Sequence, residues 1–151
     1  MSERFIDGTL QIKLIISTEE SVMPCPCGSR KQYLDCCGRY IERQEIPETP
    51  EQLMRSRYVA YTRANIDYII KTMTGEALHT FDVASAKQWA KRSIWLGLTV
   101  VDAPKPCDAI GYVEFIARFH YQGKTQSIHE RSEFHFEKGH WFYVTGNSCC
   151  S

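Results

Sequence analysis

The stretch AIGYVEFIARFHY, residues 109–121, alternates apolar and polar side chains as a half-buried β-strand does. Its odd-numbered positions from 111 to 119 are apolar, whereas its even-numbered positions include Glu114, Arg118 and His120. This alternation predicts a strand that packs one face on a core and turns the other toward solvent. The elements on either side of this strand decide which fold it belongs to.

Three more stretches have the composition of strands. Residues 94–101, 125–136 and 140–145 are rich in aromatic and β-branched side chains. Short polar connections that contain glycine, residues 122–124 and 138–139, precede the last two of them. Strands joined by such short turns pair in sequence order, so we expect a four-stranded antiparallel meander.

Helical patterns come before the strands. Thr49-Pro50-Glu51-Gln52 is a capping box with proline at the first helical position, and apolar residues at three-and-four spacing follow it. Asn65 is predicted to cap a second, short helix, and Asp82 to cap a third helix from Val83 to about Arg92. Three helices followed by a meander predict an α+β fold.

The segment PCPCGSRKQYLDCCG, residues 24–38, has the cysteine spacing of a zinc-binding turn. Cys25, Cys27, Cys36 and Cys37 form the pattern Cys-x-Cys, eight residues, Cys-Cys. Zinc binds four thiolates in a tetrahedron, at about 2.3 Å from each sulfur. Because all four ligands come from the protein, we expect a structural zinc ion with no open position for catalysis. Buried or redox-active thiols and an iron–sulfur cluster are the alternatives that these residue types leave open.

A second capping box lies between the two cysteine pairs. Ser29-Arg30-Lys31-Gln32 predicts a short helix that returns the chain to the second pair and ends at Gly38. Arg30, Lys31 and Arg39 are placed to offset the negative charge of the thiolates. A module this small has hardly any core, so metal binding must stabilise its fold.

The bulk composition favours one domain with a small appendage. The chain has 151 residues, and 18 basic residues balance 18 acidic ones, so no general attraction to nucleic acid or membrane is expected. No apolar run approaches the roughly 18 residues of a membrane span. The seven cysteines are odd in number and unevenly placed. This usage predicts a reduced, cytoplasmic protein rather than a secreted disulfide scaffold.

The same features divide the chain into segments. They predict an N-terminal extension (residues 1–23), the cysteine module (24–38), a polar linker (39–48), the main domain (49–146) and a C-terminal tail (147–151). Cys107 has no predicted role. The terminal pair Cys149-Cys150 is a candidate redox-active dithiol or a metal ligand shared between two chains.

Two groups of residues resemble known proteins. The cysteine module resembles the SEC-C motif, a zinc-binding element of the protein-export ATPase, in which the last ligand is commonly histidine and here would be Cys37. Four other stretches resemble signature segments of the YchJ family: LMRSRY (53–58), DYIIKT (67–72), WLGLTV (95–100) and ERSEF (130–134). This resemblance implies an NTF2-like, cystatin-like main domain, in which a curved antiparallel sheet packs on helices.

The resemblance does not extend to the C-terminus and implies no activity. Many members of the family carry a second SEC-C motif there, whereas no Cys-x-Cys precedes Cys149 here. We therefore expect no second site of that kind within this chain. Members of the family have no assigned reaction, and we expect a binding protein rather than an enzyme.

The leading hypothesis from the sequence is an adaptor. A positive, closed metal module would present Arg30, Lys31, Gln32 and Tyr33 to a protein partner. The motif in the export ATPase implies an export chaperone or the ribosome as that partner, and the main domain could also pair with a second copy. Nucleic acid is a further possibility that the neutral net charge does not support.

The rival hypothesis is a small-molecule binder or enzyme that uses the cavity of an NTF2-like domain. Its candidate base or anchor is Glu130, which shares its strand face with apolar residues. The other predicted pocket residues are Arg57, Arg131, Asp67 and Tyr68. Alternatively, Glu130 pairs with an arginine of the first helix and only fixes that helix on the sheet.

The histidines of the strands are a weaker signal. His129 and His135 share a strand face, but no third ligand lies at a fixed spacing from them in the sequence. We therefore predict that they are solvated side chains rather than metal ligands.

Overall fold

The sheet has the predicted meander topology. The computed structural model describes residues 22–149, so nearly all of the predicted N-terminal extension lies outside the described residues. Within that range the four strands pair antiparallel in the order β1-β2-β3-β4. Their bounds are Ile94–Asp102 for β1, Ile110–Tyr121 for β2, Lys124–Glu137 for β3 and His140–Ser148 for β4. The α+β prediction is confirmed.

Two-residue turns hold β2, β3 and β4 in register. Gln122 and Gly123 join β2 to β3, and Lys138 and Gly139 join β3 to β4. All four residues have positive φ, between 51° and 84°. This is the geometry of a type I′ turn, whose twist matches that of the flanking strands. The turns therefore fix which side chains of the long strands face the helices.

Short helices cover one face of this sheet. Within the described range, the α-helices are Gly38–Ile41 (α1), Pro50–Thr62 (α2), Ile66–Lys71 (α3), Gly75–His79 (α4) and Val83–Arg92 (α5). The three predicted caps are confirmed, because Thr49, Asn65 and Asp82 accept hydrogen bonds from the backbone N–H groups three residues later. Local side-chain chemistry was therefore sufficient to locate three helix starts.

The two shortest helices were not predicted. In α4 the preceding Thr74 makes no side-chain cap, and the helix begins at Gly75 with φ of 70°. In α1 the chain is helical where a linker was expected, and it begins at Gly38, which was expected to end a helix. Thr74 is a capping residue type whose side chain makes no cap here, and Cys37, before α1, is not a capping residue type.

The prediction of a helix between the two cysteine pairs is wrong. The Ser29 hydroxyl accepts from the Lys31 N–H, two residues later, and Arg30 has φ of 69°. The Lys31 carbonyl instead accepts from the Cys25 N–H at 2.9 Å. The segment is a tight hairpin followed by a single 3-10 turn at Tyr33–Asp35. A helix does not form because the backbone groups that it would need are already paired between the two arms of the hairpin.

The core joins the cysteine module to the main domain. Leu53 of α2, Val113 of β2 and Phe134 of β3 are at most 1% exposed, and they share one buried cluster with Cys27 and Cys37. The module is therefore part of the domain's packing rather than a separate appendage. Over residues 22–149, no helix combines the length and the apolar character needed to cross a bilayer.

Candidate metal centre and adjoining cavity

The four cysteines of the module meet at one point. The sulfur atoms of Cys25, Cys27, Cys36 and Cys37 all lie within 4.8 Å of one another. Cys36 Sγ is 3.6 Å from Cys27 Sγ and 3.9 Å from Cys37 Sγ. A tetrahedron with metal–sulfur bonds of about 2.3 Å has edges of roughly 3.8 Å, so the two distances from Cys36 Sγ are close to the spacing that a zinc ion requires.

Backbone geometry positions each cysteine pair. The hairpin is closed by the Tyr33 N–H, which donates to the Met23 carbonyl at 2.8 Å, and Gly28 reverses the chain with φ of 81°. After the 3-10 turn, Gly38 passes so close to Tyr33 that an added Cβ would lie 2.8 Å from its carbonyl oxygen. Only glycine fits at that position, immediately after the second cysteine pair.

Groups outside the module support the sulfur atoms. Arg55 of α2 donates from Nη1 to the Cys27 carbonyl at 2.9 Å and lies 3.9 Å from Cys27 Sγ. Glu51 holds this guanidinium at 2.9 Å, and the Ser29 hydroxyl lies 3.1 Å from Cys36 Sγ. Arg55 is 28 residues from Cys27, so no local pattern could have predicted its role. Partners of this kind orient ligands and tune their charge.

The crowded thiols favour binding of a cation. Hydrogen bonds from Cys25 and Cys37 lower the pKa of Cys27. The same contact with Cys27 raises the pKa of Cys25 to about 11, and hydrogen bonds together with burial raise the pKa of Cys37. The thiolate of Cys27 is thus favoured, whereas Cys25 and Cys37 stay protonated because they hydrogen-bond to their neighbours and a second negative charge this close would be repelled. A bound divalent cation removes that penalty and allows all four to ionise.

Three of the four predicted partner-binding residues are accessible. Arg30, Lys31 and Gln32 are exposed on the hairpin. Tyr33 is 0% exposed, so the prediction that it is presented to a partner is wrong. Its hydroxyl donates to Glu42 at 2.8 Å, and the Arg63 guanidinium lies 3.9 Å from its ring centroid. Tyr33 therefore anchors the module to the rest of the chain.

A cavity of about 460 Å³ lies between the sheet and the helices. All four strands contribute to its wall, as do α2, α4 and α5. Aromatic rings form much of the lining, with Trp89 and Trp95 5.0 Å apart and Tyr61 5.6 Å from Trp89. This volume suits a small organic molecule.

Two ionisable side chains of the cavity are linked through a tyrosine. Glu130 Oε1 accepts from the Tyr143 hydroxyl at 3.2 Å and from Ser132 at 2.8 Å. The Arg57 guanidinium lies 4.6 Å from the Tyr143 ring centroid and donates from Nη1 to Thr72 at 2.6 Å. Burial lowers the pKa of Arg57. Both residues line the cavity, as predicted, but they reach each other through Tyr143 rather than as an ion pair.

The remaining predicted pocket residues lie elsewhere. Arg131 is exposed on the opposite face of the sheet, where its guanidinium lies 4.6 Å from the Tyr112 ring centroid. Asp67 is exposed on α3. Tyr68 is buried, but its hydroxyl bonds Ser56 at 2.7 Å instead of lining the cavity, and burial raises its pKa to about 12. The side-chain alternation of a strand and the pitch of a helix put these three out of reach.

Comparisons with known proteins agree with this geometry. The family model for the middle, NTF2-like domain of YchJ matches residues 49–146. A SEC-C motif-containing protein from Rhodopseudomonas palustris, known from its solution structure, is similar at 41% identity and a TM-score of 0.77, over 85% of this chain and 100% of that one. A crystal structure of another such protein, from Psychrobacter arcticus, is similar at 29% identity and a TM-score of 0.73, over 88% and 86%.

Proposed function

Because this chain belongs to the YchJ family and carries its NTF2-like domain over residues 49–146, we propose that it is a zinc-stabilised protein that binds a small organic molecule. The observation that carries the proposal is the aromatic cavity containing Glu130 and Arg57. Zinc in the cysteine module has a structural role in this proposal, since it cross-links two turns and holds them against α2.

The choice of zinc rests on the ligand set and its burial. Four thiolates at tetrahedral spacing suit zinc, and they leave no position for water or substrate. Cys27 and Cys37 are 0% and 1% exposed, so a metal bound to them would be shielded from solvent by the packed core. Arg55 and Ser29 supply the hydrogen bonds that thiolate ligands require.

The chemistry of the cavity suggests what the ligand is. Both hydrogen bonds that Glu130 receives from described residues go to Oε1, so we expect Oε2 to accept a hydrogen bond from a ligand in the cavity. Asp82 also lines the cavity, but both of its carboxylate oxygens accept hydrogen bonds from Ser85 at the start of α5. Arg57 is likewise engaged, by Thr72 and the Tyr143 ring, so Glu130 is the carboxylate that a ligand would reach. A flat apolar molecule with an amino group would therefore pack on Trp89 and donate to Glu130.

A matched set of ligands tests this proposal. We expect benzylamine to bind more tightly than benzyl alcohol, and benzoate to bind least, in calorimetric titrations of the zinc-loaded protein. Glu130→Gln should weaken benzylamine binding about tenfold or more, because a charge-assisted hydrogen bond is lost. Glu137→Gln, at the exposed end of the same strand, is the control. Equal binding of the three compounds, or no effect of Glu130→Gln, would contradict the proposal.

A second candidate function is an adaptor. The exposed Arg30, Lys31 and Gln32 lie beside a polar groove of about 590 Å³. Its lining carries four basic side chains, Lys31 and Lys105 among them, and two acidic ones, Asp35 and Glu51. Such a surface suits an acidic segment of a protein partner, with an export chaperone or the ribosome as first candidates.

Affinity capture with a triple variant tests the adaptor. Replacing Arg30, Lys31 and Gln32 by alanine should remove the specific partner and leave the zinc ligands intact. Replacing the exposed Lys87 and Lys91 of α5 is a control for charge alone. If wild type and triple variant capture identical partner sets, the adaptor hypothesis is wrong.

A further inference from the structure

A second group of metal-binding side chains lies on the outer face of the sheet. Glu114 comes from β2, His129 from β3, and Cys149 follows the end of β4. One potential ligand atom from each lies within 4.8 Å of the other two, and all three residues are half-buried. None of its three residues belongs to the cysteine module, which forms a separate ligand cluster.

Strand pairing places these three residues together. Glu114 and His129 lie on the solvent-facing side of adjacent strands, since His129 is paired with Ile116, two residues from Glu114. The Cys149 N–H donates to the His129 carbonyl at 2.8 Å, which continues the ladder beyond β4. Three neighbouring chain segments therefore each supply one ligand in a row across the sheet.

We propose that Glu114, His129 and Cys149 form a second metal site, which takes a zinc-like divalent cation. A carboxylate, an imidazole and a thiolate are ligand types that zinc accepts, and the carboxylate and thiolate balance the charge of the ion. Glu114 Oε1 is already 3.2 Å from His129 Nε2. Three protein ligands leave one tetrahedral position for water, so this site is open, in contrast to the closed cysteine module.

Nearby positive charges are engaged elsewhere. Arg131 is the strand partner of Glu114, but its guanidinium stacks on the Tyr112 ring. Arg118, on the same face, donates to Thr99 at 3.0 Å. The guanidinium contacts of these two arginines are with Tyr112 and Thr99, which leaves the negative charge of the Glu114 carboxylate to a bound cation.

The same strand offers an internal comparison. His135 Nε2 lies 2.7 Å from Glu133 Oε1, so it forms a similar histidine–carboxylate pair on the same face. Among the described residues, no cysteine joins that pair in a ligand cluster. Two ligands do not hold zinc firmly, so the thiol of Cys149 is what distinguishes the proposed site.

Metal counting on the full chain tests the proposal. After zinc loading and removal of weakly held metal by gel filtration, we expect inductively coupled plasma mass spectrometry to find two zinc ions per wild-type chain. His129→Ala and Cys149→Ser should each lower the count to one. His135→Ala and Cys107→Ser, the matched imidazole and thiol controls, should keep two.

Cobalt substitution separates the two sites by their ligands. The cysteine module should give the intense charge-transfer bands of several thiolates with the first equivalent of cobalt. A second equivalent of cobalt should add weaker bands, with the intensity expected for a single thiolate ligand. These bands should be absent in His129→Ala. One metal ion per wild-type chain, or two in both His129→Ala and Cys149→Ser, would overturn the proposal.

Discussion

The guanidinium of Arg57 lies 4.6 Å from the ring centroid of Tyr143, whose hydroxyl donates to Glu130. Tyr143 thus connects a buried cation on α2 to a carboxylate on β3 across the wall of the cavity. Burial raises the pKa of Tyr143, so its hydroxyl stays protonated and remains a donor throughout the neutral range.

Two substitutions of Tyr143 should separate the contributions that its two contacts make to the free energy of unfolding. Tyr143→Phe keeps the ring beneath Arg57 and should cost about 1–2 kcal/mol, because only the hydrogen bond to Glu130 is lost. Tyr143→Leu also removes the cation–π contact and should cost about 2 kcal/mol more. Urea unfolding of both variants measures the difference. Equal free energies of unfolding for the two variants would show that the ring does not stabilise Arg57.

Gly146 makes room for the carboxylate of Glu130. A Cβ at this position would collide with Glu130 Oε1 and lie 2.7 Å from the Tyr143 hydroxyl. Gly146→Ala should therefore displace Glu130, with a loss of stability of about 1–3 kcal/mol as for other overpacked sites. Binding of benzylamine should fall with it. Thr145→Ala, an exposed neighbour on β4, should leave thermal stability and binding nearly unchanged.

Metal removal should destabilise the whole domain. Cys27 and Cys37 share a buried cluster with Leu53 and Phe134, so release of the metal leaves unpaired thiols inside the core. We expect a strong chelator, or Cys27→Ser, to lower the melting temperature of the aromatic near-UV signal by 10 °C or more, since structural zinc contributes about 10–16 kcal/mol in small modules. Cys107→Ser should melt as wild type does. A main domain that melts unchanged without metal would contradict this coupling.

Arg55 should control how tightly the module holds its metal. Its guanidinium contacts the carbonyl and the sulfur of Cys27. Arg55→Ala should weaken zinc binding by about 10- to 100-fold, the usual cost of losing a group that orients a ligand. Competition with a chromophoric chelator measures this constant. Arg43→Ala, at an exposed position after α1, is the matched control and should bind zinc as wild type does.

Short-range chemistry accounts for the predictions that were confirmed. Capping at Thr49, Asn65 and Asp82, the alternation of β2 and the tight turns between strands all depend on residues within a few positions of one another. The helix predicted after Ser29 failed because the Lys31 carbonyl pairs with Cys25, across the hairpin. A local pattern could not include that partner.

Whether the sequence could predict the position of a functional residue depended on how far along the chain its contact partners lie. Glu130 and Arg57 were found because strand and helix periodicity indicate which side chains face inward. Tyr33 was misplaced because its burial comes from Glu42 and Arg63, which pack on it only after the module folds back on α2. The cluster of Glu114, His129 and Cys149 was missed because three separate segments supply its members.

By itself the sequence determined the four cysteines, the order of the three capped helices and the four strands, and the inward face of the sheet. Each of these follows from the spacing of residues in the sequence, because the period of a helix or a strand fixes the face on which each side chain lies. Only the tertiary structure decided that the cysteine module belongs to the core, that Arg55 supports Cys27, and that Tyr143 links Arg57 to Glu130. Those contacts join residues far apart in the chain, and their geometry exists only once the helices have packed on the twisted sheet.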